Sequence, residues 1–283
     1  MHIIGHNHPK VDYHPPPMSL AKEPCAVITG AASGFGRALS LVLAERGAHL
    51  VLGDLDQAGL SETETLAKGK GARSVRCLVA DVTRVESFEA LAKACDRPVD
   101  LVVNNAGVSS GGAVGEAPLE DWRWTLEVNL FGVLHGCHVF TPILRAQGHG
   151  HILNVASAAG LLSAPTMGAY NVSKAGVVSL SETLAAELYG TGVGVTVLCP
   201  TFFQTNIAKN GRFRDEKTRA TAEKLVAEGK SADRIARAAL ASVESGHLYS
   251  VPMADGRMMW RLKRLAPESF RKVAAKVARR VMK

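Results

Sequence analysis

From Cys25 onward the chain alternates short aliphatic runs with longer stretches whose apolar residues recur at helical spacing. CAVIT at 25–29 reads as a buried strand, followed by glycines and a helix running to Arg46. HLVLG at 49–53 and SVRCLVA at 74–80 read as the second and third strands, and a helix around 84–95 leads to a fourth, VDLVV at 99–103. Helical stretches near 119–147 and 168–189 bracket a fifth strand, HILNV at 151–155. VGVTVLC at 193–199 is a sixth, and HLYSV at 247–251 offers a seventh. Aliphatic strands with no polar alternation are covered on both faces, and helices between them make parallel pairing the natural outcome. The pattern predicts an α/β fold with one doubly wound parallel sheet of about seven strands, helices on both faces and right-handed crossovers. No internal repeat and no second domain are visible.

The two ends break this pattern. Residues 1–20 hold His2, His6, His8 and His14, a triple proline and no periodicity. No cysteine or carboxylate cluster accompanies these histidines, so no metal site is expected. The segment reads as a flexible leader or vector-derived sequence, with Met18 an alternative start. The catalytic domain is placed at 21–256. Residues 257–283 form a basic tail in which Phe270, Val273, Ala274, Val277 and Val281 make a helical stripe decorated by Lys272, Lys276, Arg279 and Arg280. Two readings stay open for it: a terminal helix packed on the body or a sister subunit, and an amphipathic helix lying on an anionic membrane.

Charge sharpens the division. Of the net +7 carried by 283 residues, the tail from Arg257 contributes ten Lys/Arg against one acid, leaving the first 256 residues at −2. The overall basicity therefore gives no reason to expect nucleic acid as a partner. The five cysteines include no CxxC pair, which favours reduced thiols over a disulfide framework or a zinc site. No apolar run approaches the roughly 18 residues of a membrane span, and no signal-peptide layout opens the chain. A cytoplasmic protein is expected, peripheral to a membrane if the tail binds one.

Thr29-Gly30-Ala31-Ala32-Ser33-Gly34-Phe35-Gly36 follows the first strand directly. Glycines let backbone turn tightly and approach a phosphate, and the next helix aims its N-terminal amides at that charge. The placement between strand and helix is what a dinucleotide site requires, although a tight turn without ligand has the same local pattern. Asp54, eighteen residues after Gly36, stands where a carboxylate accepts from both ribose hydroxyls and repels a 2′-phosphate. It favours NAD over NADP, with nearby Arg37 the one complication. Tyr170 and Lys174 lie four residues apart, on one face of a helix. An unperturbed phenol is a poor base at neutral pH, and a neighbouring cation would lower its pKa into use.

Together with Asn104-Asn105-Ala106-Gly107, Asn129 in an EVNLFG run, and Ser157 thirteen residues before Tyr170, these motifs make the chain resemble the short-chain dehydrogenase/reductase family over about 22–251. The resemblance implies a Rossmann-like fold and a hydride transfer between NAD(H) and a secondary alcohol or ketone. Tyr170 would be the general acid/base. Lys174 would lower its pKa and bind the nicotinamide ribose, Ser157 would hold the substrate oxygen, and Asn129 would keep a water in a proton relay. Gly30, Ser33, Gly34, Phe35, Gly36, Asp54, Asp81, Val82, Asn105, Phe203 and Thr205 would bind the cofactor with Tyr170 and Lys174. Pro200-Thr201 departs from the family's Pro-Gly, and a modest loop shift is expected there. Residues 202–230 would form a substrate lid, and the apolar residues after Ser157 suit a lipophilic substrate. A homodimer or homotetramer packed through the helices near 119–147 and 168–189 is expected. The alternatives are an NADP-dependent carbonyl reductase and a non-catalytic nucleotide-binding scaffold of the same fold.

Overall fold

The computed structural model describes residues 20–281. The histidines of the leader, Met18 and the side chains of Val277, Arg280 and Val281 in the tail lie outside the described residues. The chain opens in the middle of its sheet. β1 (Cys25–Thr29) is followed by α1 (Gly34–Ala44), β2 (His49–Asp54), α2 (Gln57–Gly69), β3 (Ser74–Val79) and α3 (Val85–Lys93). It then crosses to the other side with β4 (Leu101–Asn104), a two-residue β5 (Ser110–Gly111) and α4 (Leu119–Leu126). A π turn (Glu127–Phe131) joins α4 to α5 (Gly132–Gln147). Next come β6 (Gly150–Val155), α6 (Ala158–Leu162), α7 (Gly168–Glu187) and β7 (Val193–Leu198). The remainder comprises β8 (Arg212–Phe213), α8 (Glu216–Ala227), α9 (Ala232–Glu244), β9 (Tyr249–Ser250), α10 (Ala254–Leu265) and α11 (Pro267–Val281).

The main sheet runs β3-β2-β1-β4-β6-β7-β9 with every pair parallel. Its inner strands β1, β4 and β6 are buried throughout, the consequence of aliphatic runs with no polar face. One face is sealed by Phe88, Phe140, Leu144 and Val177 from α3, α5 and α7. The other is sealed by Leu39, Leu43, Ile235 and Leu240 from α1 and α9. Strand order reverses between β1 and β4, which opens a crevice at their carboxyl ends. The glycine loop leaves β1 and Asn104-Asn105 ends β4, so both sequence motifs arrive at that crevice.

Candidate active site

Gly36 belongs to this loop because nothing larger fits: a Cβ there would lie 2.1 Å from the carbonyl oxygen of Gly30. Gly30 itself sits at φ +66°, a conformation L side chains rarely adopt. Asn105 buckles the loop onto β4. Its Nδ2 donates to Thr29 O at 2.8 Å and Gly30 O at 3.1 Å, while its backbone N–H donates to Thr29 Oγ1 at 3.0 Å. Asn105 thus reaches the cleft but spends its amide on the loop. Ser33 starts α1 in extended backbone without a side-chain cap, and the first turn carries no acid. Uncapped amides at the positive end of a helix dipole are a fit for a dinucleotide's phosphates. Thr205 lies over this turn, 3.4 Å from where a Gly34 Cβ would be, and Phe203 packs edge-on to Phe35 at 6.0 Å. The two phenylalanines therefore fasten the start of the 202–230 segment to α1.

Asp54 ends β2 with its carboxylate turned to the loop, accepting from Ala32 N–H at 2.9 Å and Asp56 N–H at 3.1 Å. Arg37 is committed elsewhere. Its guanidinium donates to Thr63 Oγ1 at 3.0 Å, to the carbonyls of Ala32 and Gly59, and to Glu62 at 2.7 Å. Asp81 and Val82 follow β3. The Asp81 carboxylate accepts from Thr83 N–H and Oγ1 at 2.9 and 2.8 Å, and Val82 is buried, packed where a Gly132 Cβ would meet it at 2.9 Å.

The second half of the site hangs on α6 and α7. Ser157 caps α6, its Oγ accepting from Ala159 N–H at 3.1 Å and lying 3.5 Å from Pro200 O. α6 lies so close to α7 that a Cβ on Gly160 would fall 2.6 Å from the Lys174 carbonyl. Tyr170 and Lys174, one turn apart on α7, are both buried. Lys174 Nζ donates to Val155 O at 2.9 Å and stands 5.8 Å from the centre of the Tyr170 ring. Burial pushes the phenol's pKa up, a hydrogen bond with Ser157 opposing it, and burial pulls the Lys174 ammonium down to about 8. Of the two influences on the phenol, burial is the larger and the Ser157 hydrogen bond the smaller. Cys199, buried beside Lys174, has its thiol pushed up to about 12.

Asn129 occupies the π turn, whose five-residue bond runs from Gly132 N–H to Glu127 O. Fully buried, its Nδ2 donates to Val108 O at 2.9 Å and Ser173 Oγ at 3.2 Å, and its Oδ1 accepts from Val108 N–H at 2.8 Å. Only one carbonyl lone pair of the side chain is left for a water. Thr29 and Ser173 are the two hydroxyls that motif reading passed over. Thr29 ends a strand and Ser173 lies between Tyr170 and Lys174, yet neither spacing alone marks a hydrogen-bond hub.

Thr201 lies outside the left-handed region, in which Ser163 and Thr166 are the only non-glycine residues among those described. No glycine is needed there, and the expected loop shift has no backbone cause. Its methyl instead packs on α10, 2.9 Å from where a Gly256 Cβ would lie. The 202–230 segment carries structure: β8 pairs with β5, and Arg212 bonds Asp121 at 3.0 Å while Arg214 pairs with Glu116. In the tail, Trp260 rests on Tyr249 at 4.8 Å, and α11 packs chiefly on α10.

A family profile described as short chain dehydrogenase matches residues 24–216. The chain belongs to the short-chain dehydrogenase/reductase family. The family is one of NAD(P)-dependent dehydrogenases and reductases. The “probable oxidoreductase EphD” of Mycobacterium tuberculosis is 34% identical over 259 residues, covering 87% of this chain and 44% of that protein. The chain thus spans less than half the length of EphD. A “CLA biosynthesis dehydrogenase/reductase” of Lactiplantibacillus plantarum is 33% identical over 250 residues, covering 81% of this chain and 87% of the other. Among solved structures, a short-chain dehydrogenase/reductase from Burkholderia phymatum in complex with NAD superposes with TM-score 0.83 at 38% identity, covering 89% of this chain and 96% of that one. One from Sphingobium yanoikuyae in complex with NADPH gives 0.74 at 26% identity, covering 88% and 95%.

Proposed function

We propose that this short-chain dehydrogenase/reductase interconverts a lipophilic secondary alcohol and its ketone, using NAD(H) in preference to NADP(H). The observation that carries the chemistry is the convergence of Ser157, Tyr170 and Lys174 beside the glycine loop at the carboxyl ends of the strands. The dinucleotide, when bound, supplies the hydride acceptor or donor. Gly30, Ser33, Gly34, Phe35 and Gly36 would receive its phosphates, Asp54 the adenosine ribose, Asp81 and Val82 the adenine, and Asn105, Phe203 and Thr205 the remaining cleft.

In oxidation the Tyr170 phenolate takes the alcohol proton; in reduction the phenol returns a proton to the carbonyl oxygen. Ser157 Oγ holds that oxygen. Lys174 keeps positive charge near the phenol and binds the nicotinamide ribose, with Asn129 retaining a water behind it. The lipophilic reading draws on the apolar run after Ser157, in which Ala158 and Leu161 are buried and Leu162 packs against the core.

The cofactor preference rests on two features together. The Asp54 carboxylate faces the loop, and Arg37, the cation next to the glycine motif in sequence, is already shared among Thr63, Ala32, Gly59 and Glu62. A 2′-phosphate would meet that anion with Arg37 engaged elsewhere. Calorimetric titration is expected to give tighter binding for NAD than for NADP by at least roughly tenfold, with Asp54→Ala erasing most of the gap, a charge effect on the order of 1.4 kcal/mol. Preferred NADP binding would overturn this reading; binding of neither would remove the enzymatic one.

Exposed Phe131 and Leu134 at the π turn and start of α5, and Val172 on α7, lie on the helices through which the family resemblance places an oligomer contact. A homodimer or homotetramer is therefore proposed. Light scattering at micromolar concentration should give two or four times the chain mass, and a monomer would refute it.

A further inference from the structure

We propose that the outer face of α10, continued by α11, seats this protein on an anionic lipid bilayer. Two stripes on α10 carry the argument. Gly256, Trp260 and Lys263 recur at i, i+4, i+7 and face the body. Gly256 is buried under Thr201, Trp260 packs on Tyr249, and Lys263 Nζ donates to Leu161 O at 2.7 Å and Ser163 Oγ at 3.3 Å. Met258, Leu262 and Leu265 repeat the same spacing two residues later, which turns them to the opposite side of the helix. They are 66%, 47% and 86% exposed. An amphipathic helix normally hides one such stripe; this one is anchored by a first and displays a second.

The charges around the displayed stripe select its occupant. Arg261 and Arg264 flank it, Arg264 stacking over Trp260 at 5.6 Å, while Arg257 donates inward to Val251 O at 2.7 Å. α11 adds exposed Lys272, Lys276 and Arg279 beside Val273, while Asp255 and Glu268 are the only acids from 255 onward. A two-fold contact between copies of this face would set arginine against arginine. A nucleic acid backbone would satisfy the cations but leave three large apolar side chains in water. A bilayer with anionic headgroups satisfies both. No helix among the described residues is long and apolar enough to cross a membrane, so the contact lies along the surface.

The same helix is bonded to the catalytic half of the site. Lys263 holds the end of α6, the helix that Ser157 begins, so the bilayer side and Ser157 are separated by one helical layer. This consequence rests on the lipophilic-substrate reading above, since it delivers a membrane-dissolved alcohol or ketone to the pocket. Lipid binding itself does not depend on it.

Flotation of the full chain with phosphatidylcholine vesicles, with and without phosphatidylglycerol, tests the proposal. The protein should float with the anionic vesicles at low salt and remain at the bottom at high salt or with phosphatidylcholine alone. The double variants Leu262→Ser/Leu265→Ser and Arg261→Glu/Arg264→Glu should each lower the bound fraction by at least about tenfold. Melting temperature and turnover of a water-soluble ketone should stay at wild-type values. Failure of the wild type to float, or flotation undiminished in both variants, would overturn the proposal. Self-association that disappears in the variants without lipid binding would overturn it in favour of a second copy. Intact flotation with no turnover would sink the enzymatic reading and leave this one standing.

Discussion

Tyr170→Phe should lower turnover by roughly 10³-fold, the usual worth of a positioned acid/base, while dinucleotide affinity stays within about twofold. The ring is buried and phenylalanine keeps its volume, so the variant loses one hydroxyl and its bond with Ser157 and little packing. The pH profile of the wild type supplies the second readout. Burial raises the phenol above its ordinary value, so at neutral pH it carries the proton that carbonyl reduction consumes. Alcohol oxidation needs the phenolate, and its rate should climb as pH rises through the alkaline range. Reduction should hold steady below pH 8 and decline above it, where the Lys174 ammonium, pulled down to about 8, loses its charge. Steady-state rates in both directions, with cofactor affinity followed by nucleotide fluorescence, check all of this. A Tyr170→Phe enzyme retaining a tenth of wild-type turnover would remove Tyr170 from the chemistry.

Gly36→Ala carries the second large effect. The added methyl would overlap the Gly30 carbonyl oxygen at 2.1 Å and approach Asn105 Nδ2 at 2.7 Å, both fixed atoms. Relief requires the loop to move off α1, breaking the Asn105 bonds to Thr29 and Gly30. We expect at least a hundredfold loss of dinucleotide affinity, on the order of 2.7 kcal/mol, and destabilisation of about 1–3 kcal/mol from overpacking. Gly69→Ala is the control, since nothing lies within 4 Å of a Cβ there. Nucleotide titration and thermal melting separate the outcomes, and wild-type affinity in Gly36→Ala would contradict the cradle described above.

Much of this molecule was readable before its coordinates because buried parallel strands are written as unbroken aliphatic runs. CAVIT and HILNV match β1 and β6 to within one residue for that reason. The helices that escaped reading are those whose buried faces are small or polar. α2 buries Gly59, Leu60, Thr63 and Ala67, and α9 spends two of its five buried positions on alanine. β5 and β8 pair over two residues each, too short for any periodicity. The site residues were findable as motifs, but their states were not. The commitment of Arg37 to α2 depends on where a distant helix comes to rest. The upward push on Tyr170 depends on how thoroughly α6 and α7 exclude water, which a spacing of four residues cannot express.

The π turn at Glu127–Phe131 makes length, as much as identity, a property of this site. Such a turn holds one residue more than a regular helix would over the same rise. α4 is pinned through Thr125 to Ser110, and α5 through Phe140 and Leu144 to the core. Deleting one residue between those anchors would restore an ordinary helix with its two flanks in nearly the same relation, so the residues inside the turn are the ones that would change place. A relative with a one-residue gap in this run would present its asparagine to a different neighbour even when the letters align. In this stretch of the family, kinship of mechanism is better judged by gaps than by matches.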